Sequence, residues 1–146
     1  MLITRTPFRI SFFGGGTDYY DYGGCVLSTT IDKYCYLSMR KLPPFFDHKN
    51  QFTYSKIERF NNAEEVKHPL VRAALEYMPT DRIQIAYDAD LPACSGIGSS
   101  SAFAVALLQS LHALKDEYPD KMVLAKEAVY LEREMCREAG GVQDQI

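Results

Sequence analysis

Seven apolar residues in a row, Ala102 to Leu108, follow the segment "SGIGSSS" at Ser95 to Ser101. A helix over this run, starting near Ser99 and reaching about Lys115, is apolar nearly all round, so it has to be buried. A chain of 146 residues can bury it in only one core, which predicts one domain. The same segment sets the chemical question. A helix N-terminus exposes unpaired N–H groups and the positive end of a dipole, and glycines ahead of it let a phosphate approach closely. Gly96, Gly98, Ser99, Ser100 and Ser101 bring all of this to one place. Two familiar phosphate motifs do not fit. The chain has no Gly-Lys pair for a Walker loop, and the third glycine of a dinucleotide fingerprint would fall at Ser101. Spacing alone leaves two readings open, a phosphate cradle or a capped loop feeding a core helix.

Strand patterns dominate the first half. "MLITRTPFRISFF" alternates polar with β-branched and aromatic residues and reads as one or two strands ending at Gly14–Gly16. Cys25 to Leu42 is a long period-2 stretch, one bent strand or two, followed by a turn around "PPFFDHKNQ" and a short strand near Phe52 to Ile57. Pro69 suits the first turn of a helix running to about Met78, and Arg82 to Asp88 alternates as another strand. A last helix is expected from Pro119 to the stop at Gly140-Gly141. Strands and helices do not alternate strictly, so the fold class is α+β, with a sheet covered by helices.

Charge and cysteine usage exclude some classes. The net charge is −3, and no basic stripe for nucleic acid is visible; only "RTPFR" at Arg5 to Arg9 gathers positive charge. Cys25, Cys35, Cys94 and Cys136 have neither zinc-site nor disulfide-framework spacing, which predicts reduced thiols in a cytoplasmic protein. The first 16 residues lack a signal-peptide apolar region, and no apolar stretch approaches 18 residues, so no membrane span is expected. His48, His68 and His112 form no ligand spacing and receive no role. Ending at "GGVQDQI" without a polar tail, the chain reads as cut in mid-fold.

The last helix carries a carboxylate where an apolar stripe should continue. Ala125, Ala128, Val129, Met135, Cys136 and Ala139 follow steps of three or four, and Glu132 falls in the gap, whereas Glu127, Glu134 and Glu138 read as solvated. A buried carboxylate needs a partner. A salt bridge, a rim position and a Mg²⁺ site all satisfy that need. Asp144, beyond the Gly-Gly turn, could return to the same cavity.

These pieces resemble a family. "PACSGIGSSSA" (Pro92 to Ala102) looks like the phosphate motif of the GHMP small-molecule kinases, "GVQDQ" (Gly141 to Gln145) like the segment with their catalytic aspartate, and "PFRISFFGGGTDYYDYGG" (Pro7 to Gly24) like their substrate motif. The resemblance implies an N-terminal, ATP-binding domain over residues 1–146, with a mixed sheet and a C-terminal domain beyond Ile146, so that this segment alone would be inactive. It implies transfer of the ATP γ-phosphoryl group to a sugar hydroxyl, with ATP and Mg²⁺ as cofactors. Carried over by position, Pro92, Gly96, Ile97, Gly98, Ser99, Ser100 and Ser101 would hold the phosphates, and Ser100 and Glu132 would bind Mg²⁺. Asp144 and Arg9 would be catalytic, and Arg9, Gly15, Gly16, Thr17, Asp18 and Asp144 would face the acceptor. Tyr19, Tyr20 and Tyr22 beside Asp18 suit sugar stacking or simple packing. Galactokinases have an acidic residue and a histidine where this chain has Gly15 and Gly16. The "FGGGTD" form instead resembles kinases acting at C1 of D-glycero-D-manno-heptose 7-phosphate, and some fucose kinases. The implied partners are a sugar phosphate and ATP, with no nucleic acid and no membrane, and a homodimer in the full-length protein. A non-catalytic sugar- or nucleotide-binding relative is the other class of function compatible with the fold.

Overall fold

The computed structural model describes residues 1–19, 23–92, 96–138 and 141–146. Ala139 and Gly140, the expected end of the last stripe and its stop, lie outside the described residues, as do Tyr20, Tyr22 and Cys94. Five strands form one sheet: β1 (Leu2–Phe13), β2 (Leu27–Lys41), β3 (Asn50–Thr53), β4 (Ile57–Phe60) and β5 (Ile83–Ala89). Their order is β1-β2-β5-β3-β4. All neighbours are antiparallel except β3 and β5, which makes the sheet mixed. Helices α1 (Pro69–Tyr77), α2 (Ser99–Leu114) and α3 (Lys121–Tyr130) pack on it, and α3 continues into a π turn over Leu131–Met135.

Period-2 alternation explains the sheet's buried face. Cys35, Leu37 and Met39 of β2 and Ile83 and Ile85 of β5 are buried. They meet Leu107, Leu108 and Leu111 of α2, which are fully covered, as the apolar run requires. Burying each such side chain contributes about 1.5–3 kcal/mol. Thr4 fixes β1 to α2 through hydrogen bonds with the Ser110 hydroxyl (2.8 Å) and the Ala106 carbonyl (3.2 Å).

Both long N-terminal stretches are single strands. The β1–β2 register runs to Pro7↔Tyr34 and resumes at Arg9↔Thr30, so β2 bulges opposite Phe8. Beside the bulge the Arg9 N–H leaves the strand ladder and donates to the Ile97 carbonyl of the glycine loop (3.2 Å).

Three expectations are corrected. The short strand near Phe52 to Ile57 is a hairpin of β3 and β4; the break at Tyr54–Lys56 falls inside the expected strand. The last helix starts after Asp120, whose carboxylate caps the Met122 and Val123 N–H groups (2.9 Å each). Its regular part also ends ten residues before Gly140, because the Cys136 N–H reaches the Leu131 carbonyl five residues back. The buried set is Leu124, Ala125, Ala128, Leu131 and Glu132, while Val129, Met135 and Cys136 of the expected stripe are half-buried, the last two lying in or just after the wider turn.

Candidate active site

Helix α2 begins at Gly98, which takes left-handed angles (φ 71°, ψ 29°). Gly96 is left-handed as well. The cap residue, being glycine, offers no side chain to the first N–H groups of Ser99–Ser101. Of the two readings the spacing left open, a capped loop would need a side-chain cap, and the cap position is a glycine.

Arg9 and Asp144 meet beside this loop. Arg9 Nε donates to Asp144 Oδ1 at 2.5 Å, and Arg9 Nη1 donates to the Gly96 carbonyl at 2.8 Å. The two side chains are 17% and 21% exposed, so the pair is partly desolvated yet open to a ligand. Asp144 also lies against Gly98: a β-carbon built on Gly98 would sit 3.3 Å from the Asp144 carboxyl carbon. The guanidinium thus links the acidic side chain to the loop that opens α2.

Asp18 is held differently. Its Oδ2 accepts from the Val142 N–H (2.8 Å) and the Gln143 N–H (3.0 Å), and its buried Oδ1 has no hydrogen-bond partner among the described residues. Ser11 Oγ donates to Gln143 Oε1 at 2.7 Å on the same turn.

Glu132 is 5% exposed and lies under the serines. Ser101 Oγ donates to its Oε1 (3.1 Å), and Gln145 Nε2 donates to its Oε2 and to Ser101 Oγ (3.1 Å). Burial pushes the Glu132 carboxyl above the usual carboxylate range. Hydrogen bonds from Gln145, Ser101 and Ser100 pull it down, and the Glu138 charge adds to the rise. These hydrogen-bond partners are all neutral, which answers the question the sequence left open: the carboxylate is held by a polar network rather than at the rim. Together with the serine hydroxyls it forms an all-oxygen donor set of the kind a hard cation such as Mg²⁺ takes. Among the described residues no three His, Cys, Asp or Glu converge into an all-protein cage. A Mg²⁺ site that shares its ion with phosphates needs only one or two carboxylates.

Two clefts flank the helix N-terminus. The first, about 880 Å³, is lined by Gly98, Arg9, Asp18, Gln143 and Asp144 among others. The second, about 690 Å³, is lined by Ser99, Ser100 and Pro92 and by the aromatic side chains of Tyr54, Tyr87 and Phe103. Phe52 stacks on Tyr54 (ring centroids 4.7 Å apart), and Tyr87 meets Phe103 edge-on (5.2 Å). The structure therefore brings together Arg9, Asp18, Gly96, Gly98, Ser99–Ser101, Glu132 and Asp144. Gly15, Gly16 and Thr17 do not reach the first cleft's lining; the Thr17 hydroxyl donates to the Gly14 and Cys25 carbonyls (2.7 and 3.3 Å). Ile97 contributes its carbonyl to Arg9, not a side chain to either cleft.

Sequence reasoning missed Gln145, Gln143, Ser11 and the aromatic wall. The "DQ" pair after the Gly-Gly turn was the available signal for Gln145; the others carry no local pattern. Two further assignments change. Glu127 is not a solvated surface residue: its Oε2 lies 2.8 Å from His112 Nε2, and Tyr77 donates to its Oε1 at 3.3 Å. His112, given no role, also meets Glu117 through Nδ1 at 2.7 Å and so joins α2 to α3. Cys25, Cys35 and Cys136 are free thiols. Among the described residues no helix is long and apolar enough to cross a membrane.

The family described as "GHMP kinases N terminal domain" matches residues 64–146, more than half of the chain. D-glycero-alpha-D-manno-heptose 7-phosphate kinase of Campylobacter jejuni is 28% identical over 156 aligned positions, covering 97% of this chain and 46% of that protein. Among solved structures, a D-glycero-D-manno-heptose 1-phosphate kinase from Bacteriodes thetaiotaomicron superposes with a TM-score of 0.81 at 22% identity, covering 99% of this chain and 52% of the other. Phosphomevalonate kinase of Streptococcus pneumoniae, solved with phosphomevalonate and AMPPNP, superposes with a TM-score of 0.80 at 15% identity, covering 99% and 46%. The chain spans about half the length of each of these relatives.

Proposed function

This chain belongs to the GHMP kinases, and from that premise we propose that it is the N-terminal, ATP-binding part of a sugar kinase. The reaction is transfer of the ATP γ-phosphoryl group to a sugar hydroxyl. The favoured acceptor is C1 of D-glycero-D-manno-heptose 7-phosphate, a reading supported by the Campylobacter relative and by the "FGGGTD" segment. The observation that carries the proposal is the Arg9–Asp144 pair set against Gly98 at the uncapped start of α2.

Phosphoryl transfer depends on in-line positioning and cancellation of negative charge, with little covalent help from the protein. The α2 N–H groups and the Gly96–Ser101 loop receive the phosphates, with Pro92 and Ile97 framing the loop. The nucleoside enters the second cleft, where Tyr54, Tyr87 and Phe103 offer flat apolar surface. The acceptor lies in the first cleft, and its reacting hydroxyl faces Asp144, which orients it and accepts its proton. Arg9 fixes that carboxylate and adds a permanent positive charge. Glu132, with Ser100 and Ser101, would hold Mg²⁺, whose chemistry is to neutralise charge on the transferring phosphate.

The test is a panel of sugars and sugar phosphates with Mg-ATP and the full-length protein. Consumption of the heptose phosphate alone supports the full reading. Consumption of an unphosphorylated hexose alone keeps the kinase and removes the heptose. Nucleotide or sugar binding without turnover removes the kinase and leaves a binding relative.

A further inference from the structure

We propose that Asp18 is a positioning residue, one that acts on the reaction through Asp144 by clamping the backbone of the turn that carries it. The inference rests on the kinase reading of the Arg9–Asp144 site.

Asp18 lies in a short 3-10 turn, Thr17–Tyr19, directly after the three-glycine segment. Its Oδ2 accepts two backbone N–H groups more than 120 residues further on, from Val142 at 2.8 Å and Gln143 at 3.0 Å. Two acceptances fill the capacity of one carboxylate oxygen. The other oxygen, Oδ1, is shielded from solvent and has no hydrogen-bond partner among the described residues. Oδ2 is therefore taken up by the backbone of this turn, although the residue also lines the first cleft.

The surroundings are built for this contact. A β-carbon at Gly141 would fall 1.9 Å from Asp18 Oδ2, so the second glycine of the Gly-Gly turn makes room for the carboxylate. On the other side, a β-carbon at Gly24 would fall 2.2 Å from the Thr17 carbonyl, and Thr17 is tied back to Gly14. The 3-10 turn thus has little freedom of its own. Ser11 adds a second tie, to Gln143. The residue after these anchored amides is Asp144, whose carboxylate must meet both Arg9 and a reacting hydroxyl. A carboxylate accepting two N–H groups makes a charge-assisted contact, stronger than a neutral one.

The experiment uses the full-length protein and three variants, Asp18→Ala, Asp18→Asn and Gly141→Ala. Two readouts are taken: hydrogen exchange of the amides at 142 and 143, and the split between kcat and the acceptor KM. Both amides are expected to exchange faster in Asp18→Ala and Gly141→Ala. In both, kcat is expected to fall about 10- to 100-fold, the cost of a misplacement near 1 Å, with the acceptor KM changed less than about threefold. Asp18→Asn keeps a carbonyl oxygen for both N–H groups, so its exchange and kcat return to within about fivefold of the parent. Unchanged exchange, a KM that rises as much as kcat falls, or no rescue by asparagine overturns the proposal. If the parent protein turns over no sugar at all, the kinase reading fails, and the exchange rates alone then decide whether Asp18 clamps the turn.

Discussion

The carboxylate of Asp144 lies against the Cα of Gly98, in the space that a side chain at the cap of α2 would occupy: a β-carbon there would come within 3.3 Å of both Asp144 Cγ and Oδ2. Glycine at this cap does two jobs. It adopts a left-handed conformation at no steric cost, and it lets an acidic side chain approach a helix N-terminus.

Gly98→Ala separates those jobs when compared with Gly23→Ala. Both glycines are left-handed, at φ 71° and 72°, but a β-carbon on Gly23 meets nothing within 4 Å. Each variant is expected to lose about 1–2 kcal/mol in denaturant unfolding, the left-handed penalty for a residue with a side chain. Only Gly98→Ala is expected to lose kcat beyond what its stability explains, because only there does the new methyl press on Asp144.

The second cleft predicts a selective effect on nucleotide affinity. Tyr54→Ala removes one face of the aromatic wall and is expected to raise the KM for ATP about 3- to 10-fold, leaving the sugar KM within about twofold. Tyr54→Phe keeps the ring but loses the hydroxyl bond to Glu58 (2.7 Å), and should stay near the parent value for ATP. Equal effects on both substrates would place the nucleoside elsewhere.

Glu132 ties stability to pH. Burial raises its carboxyl pKa, so in that range the native state holds the proton more tightly than the unfolded chain does. Stability is therefore greatest below the ordinary carboxylate range and is lost as pH rises through the raised value. In metal-free buffer, Glu132→Gln is expected to melt higher than the parent near pH 8, by about 2–4 °C for each kcal/mol recovered. The gap should close toward about pH 4, where the parent carboxyl is protonated in both states. The same variant should lose Mg²⁺-dependent turnover. A variant that melts lower than its parent near pH 8 contradicts a desolvated carboxylate at this site.

Local pattern made part of this legible. The apolar run after Ser101 required a buried helix, and the alternation in Leu2–Phe13 and Leu27–Lys41 required strands; all three formed within two residues of the expected limits. Glu132 stood out as a carboxylate in an apolar stripe, although the π turn that buries it beside Leu131 has no signature in residue type. Contacts between distant backbone groups were not legible. Asp18 reads as a substrate ligand by its position in a motif, yet what it meets is a pair of amides, which no side-chain pattern announces. His112 is similar: Glu117 meets it locally in the turn after α2, but Glu127 becomes its neighbour only once α3 folds back on α2.

Asp144, set beside the start of α2, serves the chemistry of phosphoryl transfer in the proposed reaction. Asp144→Asn in the full-length protein tests that role most directly, because the amide keeps the shape and removes the charge that accepts a proton. Measured with Mg-ATP and the acceptor sugar, kcat should fall by about 10²- to 10⁴-fold. Nucleotide affinity, measured separately by calorimetry, should change less than about threefold, since the phosphates are held by backbone groups of the loop. Turnover at the parent rate would contradict the account.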